Sequence, residues 1–239
     1  MRPEIKFHGL NRQYADLREE LLDTVDRVYL TGKVLDGHYT SEFEKQIAAL
    51  CHRTYAVAVN SGTQALIFAQ QTVLQKPPYS VLIPSVSFIA TLNSVLQNNF
   101  TPVFTDVTHH GLMDLDSVDY RLDNNIGAVM FVNLYGNTVD WERFQIQTQF
   151  FNNDIKIIED AAQSFGASFN GTPSGKMGDI SVLSFDPTKN LPNYGSGGMI
   201  LTDDKDFFEH CLNLRDNGKT SFNEMSGTNS KMLSLIHIS

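Results

Sequence analysis

The segment Ser184-Phe185-Asp186-Pro187-Thr188-Lys189-Asn190-Leu191 sets a single lysine between an apolar, strand-like run and the glycine-rich turn Tyr194-Gly195-Ser196-Gly197-Gly198. A lysine amine attacks carbonyls once its surroundings lower its pKa. The commonest use of that reactivity is a Schiff base with an aldehyde cofactor such as pyridoxal phosphate. Taken alone, the segment fits a solvated loop lysine equally well. The company Lys189 keeps decides between the two: a turn able to bind a phosphate, and an acid able to pair with a protonated ring nitrogen.

Candidates for both stand upstream. Asn60-Ser61-Gly62-Thr63 follows the apolar run Tyr55-Ala56-Val57-Ala58-Val59 and precedes the helix-like spacing of Ala65, Leu66, Ala69 and Val73. Backbone amides and the positive end of a helix dipole can hold an anion there, and a glycine lets it approach closely. An ordinary N-cap built from Ser61 or Thr63 is the alternative. Further on, Ile157-Ile158-Glu159-Asp160-Ala161-Ala162-Gln163 carries a carboxylate to the end of an apolar strand. An acid buried there needs a positive partner, and a pyridinium nitrogen is one. Asp160 could instead cap the next turn. Strand alternation sends Glu159 to the opposite side. The interval from Asp160 to Lys189 leaves room for a turn, a loop and a strand over residues 180–185, so the two can meet at one edge.

The elements that must position these groups follow from periodicity. Leu17, Leu21, Leu22, Val25 and Val28 have amphipathic helical spacing over about residues 14–30. Ser41-Glu42-Phe43-Glu44 has the capping-box pattern and predicts a second helix starting there. Short apolar runs at 55–59, 81–83, 102–104, 128–132 and 155–158 read as strands. They are interleaved with helical stretches at 65–73, 87–97 and near Trp141. That alternation predicts a mainly parallel sheet between helices, an α/β fold whose ligands sit beyond the carboxyl ends of the strands. Residues 60–63, 85–88, 133–137, 160–163 and 184–189 all fall at such ends.

Composition narrows the classes. A chain of 239 residues with 41% hydrophobic content can bury a sizeable core, and its net charge of −9 without a Lys/Arg cluster argues against nucleic acid as a partner. Cys51 and Cys211 stand far apart without Cys/His spacing, so neither a disulfide framework nor a metal site is expected, and a reducing cytoplasm fits. Met1 to Lys6 form no apolar leader, and no run of apolar residues is long enough to span a bilayer, so no membrane association is expected. Two other phosphate motifs fail. Gly171-Thr172-Pro173-Ser174-Gly175-Lys176 has Asn170 where a P-loop needs its first glycine, and Met177 where it needs Ser or Thr. Gly195-Ser196-Gly197-Gly198 lacks the third glycine of a dinucleotide fingerprint and precedes a strand-like Met199-Ile200-Leu201.

Taken in order, Asn60-Ser61-Gly62-Thr63-Gln64-Ala65-Leu66, residues 84–91, Glu159-Asp160-Ala161-Ala162-Gln163, Ser184-Phe185 with Thr188-Lys189-Asn190-Leu191, and Gly227-Thr228-Asn229-Ser230-Lys231-Met232 resemble the DegT/DnrJ/EryC1/StrS family. These are pyridoxal-phosphate-dependent sugar aminotransferases. The resemblance spans roughly residues 30–232 and implies the large domain of fold-type I enzymes, which is aspartate-aminotransferase-like. It implies conversion of a keto group on a nucleotide-linked sugar to an amine, usually with glutamate as donor. By position, Lys189 corresponds to the Schiff-base lysine that also moves the proton. Asp160 corresponds to the residue that holds the pyridine nitrogen protonated, and Gln163 to one that bonds near the phenolic oxygen. Phe88 matches an aromatic ring on the pyridine face, or is simply a core phenylalanine. Gly62, Thr63 and Ser184 match the phosphate cradle. Asn229 matches a residue that reaches the phosphate of a neighbouring subunit, implying a homodimer with shared active sites, although a turn asparagine is the alternative. Some relatives carry histidine in place of the lysine and dehydrate, so Lys189 favours amino transfer.

Residues 1–30 are expected to form an N-terminal helical segment and 31–232 the cofactor-binding large domain. The family's asparagine motif leads into a smaller C-terminal domain, and residues 233–239 depart from that pattern. They read as an atypical tail at a truncation point, with the small domain missing. A noncatalytic remnant that keeps the fold, or another fold-type I enzyme such as a lyase or desulfurase, are the competing readings.

Overall fold

The computed structural model describes residues 9–75, 79–119, 125–151, 155–219 and 226–234. Residues 1–8, which include the Met1–Lys6 segment read above, and residues 235–239 of the expected tail lie outside the described residues. The chain order is α1 (Leu10–Leu30), α2 (His38–Leu50), β1 (Tyr55–Val59), α3 (Gly62–Val73), β2 (Ser80–Pro84), α4 (Ile89–Gln97), β3 (Thr101–Thr105), α5 (Leu115–Asp119) and β4 (Ile126–Val132). A 3-10 turn (Leu134–Gly136), α6 (Trp141–Phe151), β5 (Lys156–Asp160), β6 (Ser168–Phe169), β7 (Thr172–Pro173), β8 (Ile180–Ser184), β9 (Gly198–Thr202) and α7 (Lys205–Arg215) follow.

Seven strands form one sheet in the order β1-β9-β8-β5-β4-β2-β3. β2 pairs in parallel with β3 and β4, β4 with β5, and β5 with β8. β9 alone runs antiparallel, to β1 on one side and β8 on the other. The mainly parallel sheet expected from the alternating pattern is therefore present. The carboxyl ends of β1, β2, β4, β5 and β8 lie along one edge.

Burial on both faces explains why β4 reads as an unbroken apolar run. Ala128 and Met130 join the core shared with α3 and α4, while Val129 and Phe131 join the opposite layer with Phe144 of α6. A third cluster packs Phe43 and Ile47 of α2 against Leu183, Phe185 and Met199.

Three boundaries differ from expectation. α2 begins at His38 after Gly37, so Ser41 sits inside its first turn, with its N–H donating to the Gly37 carbonyl at 3.2 Å. Glu44, which a capping box would turn back on Ser41, instead accepts from the Ala58 N–H and from Arg215 Nη1, both at 2.8 Å. Tertiary partners outbid the local cap. α4 begins at Ile89, with Phe88 in extended geometry before it, rather than at Ser87. α1 reaches back to Leu10, ahead of the expected Tyr14. The sequence pattern did not reveal α5 or α7. The segment carrying Asn229 is tied down by bridges Asp216–Asn229 and Val59–Lys231. Ser234 N–H donates to Val34 O at 2.8 Å.

Behind the carboxyl edge, Glu159 points away from Asp160 into a fully buried polar knot. It accepts from Asn133 Nδ2 at 2.8 Å, the hydroxyls of Ser174 and Ser181 at 2.8 Å, and the N–H groups of Gly175 and Met177 at 3.0 and 2.9 Å. Arg53 closes the knot by donating to the carbonyls of Gly175 and Gly178 and to Asp203. The P-loop-like segment at 171–176 thus serves as a clamp on the far side of β5.

Candidate active site

A cavity of about 350 Å³ opens at the carboxyl edge of the sheet, within the range common for cofactor sites. Gly62, Thr63, Phe88, Asp160, Gln163, Ser184 and Lys189 all line it. Of the residues singled out from sequence, only Asn229 stands apart. It is solvent-exposed, but its neighbour Ser230 accepts from the Asn60 N–H at 2.9 Å, which seats this segment beside the turn that opens α3.

At one end of the cavity lies the N-terminus of α3. Ser61 is its N-cap, and the hydroxyl accepts from Gln64 N at 3.1 Å. The capping reading holds, and the cap leaves other first-turn donors for an anion. One first-turn donor is satisfied, while the N–H groups of Gly62 and Thr63 have no protein acceptor among the described residues. Gly62 packs on Ser184 so tightly that an added Cβ would fall 2.8 Å from the serine Cβ. Gly198 of β9 makes the matching approach, with a hypothetical Cβ 2.4 Å from the Ser61 carbonyl carbon. Two glycines therefore draw the end of β8 against the helix. Ser184 Oγ accepts from Asp186 N at 3.3 Å, which leaves its proton free to donate into the cavity. Two amides and one hydroxyl converge there at the positive end of a helix, a combination suited to a phosphate.

At the other end is Asp160, only 4% exposed. Its Oδ1 accepts from Ala162 N at 3.1 Å and its Oδ2 from Thr91 Oγ1 at 3.2 Å. Capping the turn occupies one oxygen, and the carboxylate still borders the cavity. Burial pushes its carboxyl upward, against the Ala162 N–H, the Thr91 hydroxyl and the charge of Lys189. It makes no ion pair among the described residues, so a cation entering the cavity would meet an acid that lacks one.

Lys189 is fixed by a tight turn. Asp186 Oδ1 accepts from the N–H and hydroxyl of Thr188 at 2.9 and 2.7 Å, and the Lys189 N–H donates to Asp186 O at 2.8 Å. The half-buried lysine holds its Nζ 5.9 Å from the Phe88 ring centroid. Phe88 is 62% exposed, which rules out the core-phenylalanine reading. Gln163 Oε1 accepts from the Tyr135 N–H at 3.0 Å, which turns its amide NH2 outward as a donor. Tyr135 is held there with φ of 55°, a left-handed conformation rare for an aromatic residue. Sequence reasoning placed Thr91, Gly198 and Tyr135 in its motifs and strand-end segments but assigned none of them a role, because those roles depend on contacts between distant segments.

Cys51 and Cys211 are buried free thiols, with burial pushing each up to about 12. Among the described residues no group of acidic, His and Cys side chains could hold a metal ion, and no helix is long and apolar enough to cross a membrane.

Comparison with known proteins finds similarity in both sequence and fold. The sequence model of the DegT/DnrJ/EryC1/StrS aminotransferase family matches residues 15–236. A pleiotropic regulatory protein of Geobacillus stearothermophilus is 31% identical over 93% of this chain and 60% of its own length. The UDP-N-acetyl-3-dehydro-alpha-D-glucosamine 3-aminotransferase of Acidithiobacillus ferrooxidans is 32% identical over 93% of this chain and 61% of its own. Among solved structures, DesV of S. venezuelae in complex with a ketimine intermediate superposes with a TM-score of 0.91 at 32% identity, over 98% of this chain and 63% of that one. NtdA from Bacillus subtilis with bound cofactor PMP superposes with a TM-score of 0.87 at 31% identity, over 98% of this chain and 55% of that one. The chain thus spans about three fifths of the length of the curated relatives it matches.

Proposed function

Because the chain belongs to the DegT/DnrJ/EryC1/StrS aminotransferase family, we propose that it binds pyridoxal phosphate and moves an amino group from glutamate to the keto group of a nucleotide-linked sugar. The observation that carries this reading is one cavity that joins Lys189 to two helix-terminal amides lacking a protein acceptor among the described residues and, at its other end, to a buried carboxylate. When bound, pyridoxal phosphate supplies an electron sink that lets a C–H bond beside the reacting amine ionise.

The remaining work falls to the chain's own side chains. The Gly62 and Thr63 N–H groups and the Ser184 hydroxyl receive the phosphate. Asp160 would keep a proton on the ring nitrogen, the outward NH2 of Gln163 would donate toward the phenolic oxygen, and the Phe88 ring would lie against the pyridine. Lys189 Nζ, an amine on a fixed turn, would hold the cofactor at its aldehyde carbon and, when free, would be the group that moves a proton. Asn229, exposed on this chain, would reach the phosphate site of a second copy in a homodimer. On this reading residues 31–232 are the cofactor-binding large domain of a cytoplasmic enzyme, and a smaller domain that completes the sugar cleft belongs to the full-length relatives.

The test is optical. Purified protein mixed with pyridoxal phosphate is expected to develop a near-visible absorbance band that Lys189→Ala abolishes. Glutamate is expected to shift the band to that of the aminated cofactor. No band in the native chain would defeat the cofactor assignment, and a band indifferent to glutamate would defeat the donor.

A further inference from the structure

The hydroxyl of Thr91 is left without a role by the chemistry above, yet it is buried to 1% exposure in the first turn of α4. It donates to Asp160 Oδ2 at 3.2 Å, and Ser87 Oγ lies 2.7 Å behind it. The threonine backbone is held as well. Its N–H donates to Phe88 O at 3.0 Å, and its carbonyl accepts from Ser94 Oγ at 2.9 Å. Ser94 in turn accepts from Gln70 Nε2 of α3 at 2.7 Å.

Proton counting orders this chain. An ionised carboxylate can only accept, so the one Thr91 proton points at Oδ2 and the one Ser87 proton points at Thr91. Both hydroxyls then donate in the same sense, and each polarises the next. With Ala162 N–H on Oδ1 and Thr91 on Oδ2, both carboxylate oxygens are pinned and the remaining lone pairs are left for the cavity. Packing alone does not call for an alcohol here, since valine has the same shape.

We propose that Thr91, backed by Ser87, is a positioning residue that keeps the Asp160 carboxylate ionised and oriented to grip the ring nitrogen of the cofactor. This rests on the pairing of Asp160 with that nitrogen proposed above.

The test is a titration of the cofactor-free chain, followed by absorbance, with pyridoxal phosphate and with the analogue in which C–H replaces the ring nitrogen. Asp160→Asn serves as the reference. Thr91→Val is expected to weaken pyridoxal phosphate about tenfold while leaving the analogue unchanged, the loss typical of a hydrogen bond to a charged group. Thr91→Ser is expected to restore the native value. Ser87→Ala is expected to weaken the cofactor about twofold in the same selective way. If Thr91→Val weakens both ligands equally, or neither, the proposal is overturned. Should that variant fail to fold by circular dichroism, half-buried Ser87 decides: selective loss supports the relay and its absence refutes it. If Asp160→Asn separates the ligands and the Thr91 and Ser87 variants do not, the pairing stands and only this inference fails. If Asp160→Asn weakens both alike, the pairing itself is wrong and the proposal falls with it.

Discussion

Gly62 and Ser184 meet with no room for a side chain between them: a Cβ on the glycine would lie 2.8 Å from the serine Cβ and 3.0 Å from its Oγ. Gly62→Ala must therefore push the first turn of α3 away from β8, at an overpacking cost of about 1–3 kcal/mol that should leave the fold intact. The expected outcome is a loss of pyridoxal phosphate affinity of about tenfold, because charge-assisted contacts are sensitive to a small displacement. Pyridoxal lacking its phosphate should bind native and variant protein alike. Equal weakening of both compounds would show that the glycine does not act through a phosphate.

Glu159 makes a different prediction from its neighbour Asp160, although both are buried acids at the end of one strand. Burial pushes its carboxyl upward, and the Gly175 N–H, the Ser181 and Ser174 hydroxyls and Arg53 oppose that push. Glu159→Gln keeps the shape but turns an NH2 group toward the Gly175 N–H and, depending on which oxygen it replaces, toward the Met177 N–H or Asn133 Nδ2, leaving a buried donor unpaired. A loss of about 3 kcal/mol in stability is expected from urea unfolding. A loss below about 0.5 kcal/mol would mean that the knot tolerates neutral donors, against the cost assigned to unpaired buried groups.

Asp203 lends the fold a pH dependence whose sign can be worked out. Burial alone would raise its carboxyl, but the Lys176 ammonium, the N–H and hydroxyl of Thr54 and the Arg53 guanidinium together pull it well below the usual 3.8. A depressed carboxyl stabilises the fold above its unfolded value and loses that contribution as pH falls through the folded one. Asp203→Asn should therefore be less stable than the native chain near neutrality, and the gap should close as pH drops below 3.8. With the carboxylate side chain 38% exposed, solvent screening limits the gap to about 1 kcal/mol. Urea midpoints at several pH values would measure it, and a gap that widens in acid would contradict the assignment.

The residues at strand ends were legible because local chemistry marks them. The run at 128–132 announces a strand buried on both faces, and Asn60-Ser61-Gly62-Thr63 announces a helix opening whatever the rest of the chain does. Other features depend on the fold bringing distant segments together. Gly198 looks like one more glycine in a flexible turn, and only the close approach to Ser61 gives it a purpose. Thr91 reads as an ordinary helical threonine until β5 delivers Asp160 beside it. The capping-box pattern at Ser41 misled for the same reason, since Glu44 had better partners in β1 and α7 than in its own first turn.

The antiparallel β9 has a consequence for how the molecule comes into being. A ribosome-bound chain that has emerged as far as Lys189 already carries the turn that opens α3, the acid and the lysine, yet the strand that lies between β1 and β8 and joins them has not been made. On the proposed function, the cavity could take up its cofactor only after residues 198–202 are translated. Until that point β1 and β8 present open edges, which makes the half-made sheet the stage at which chaperone protection matters most.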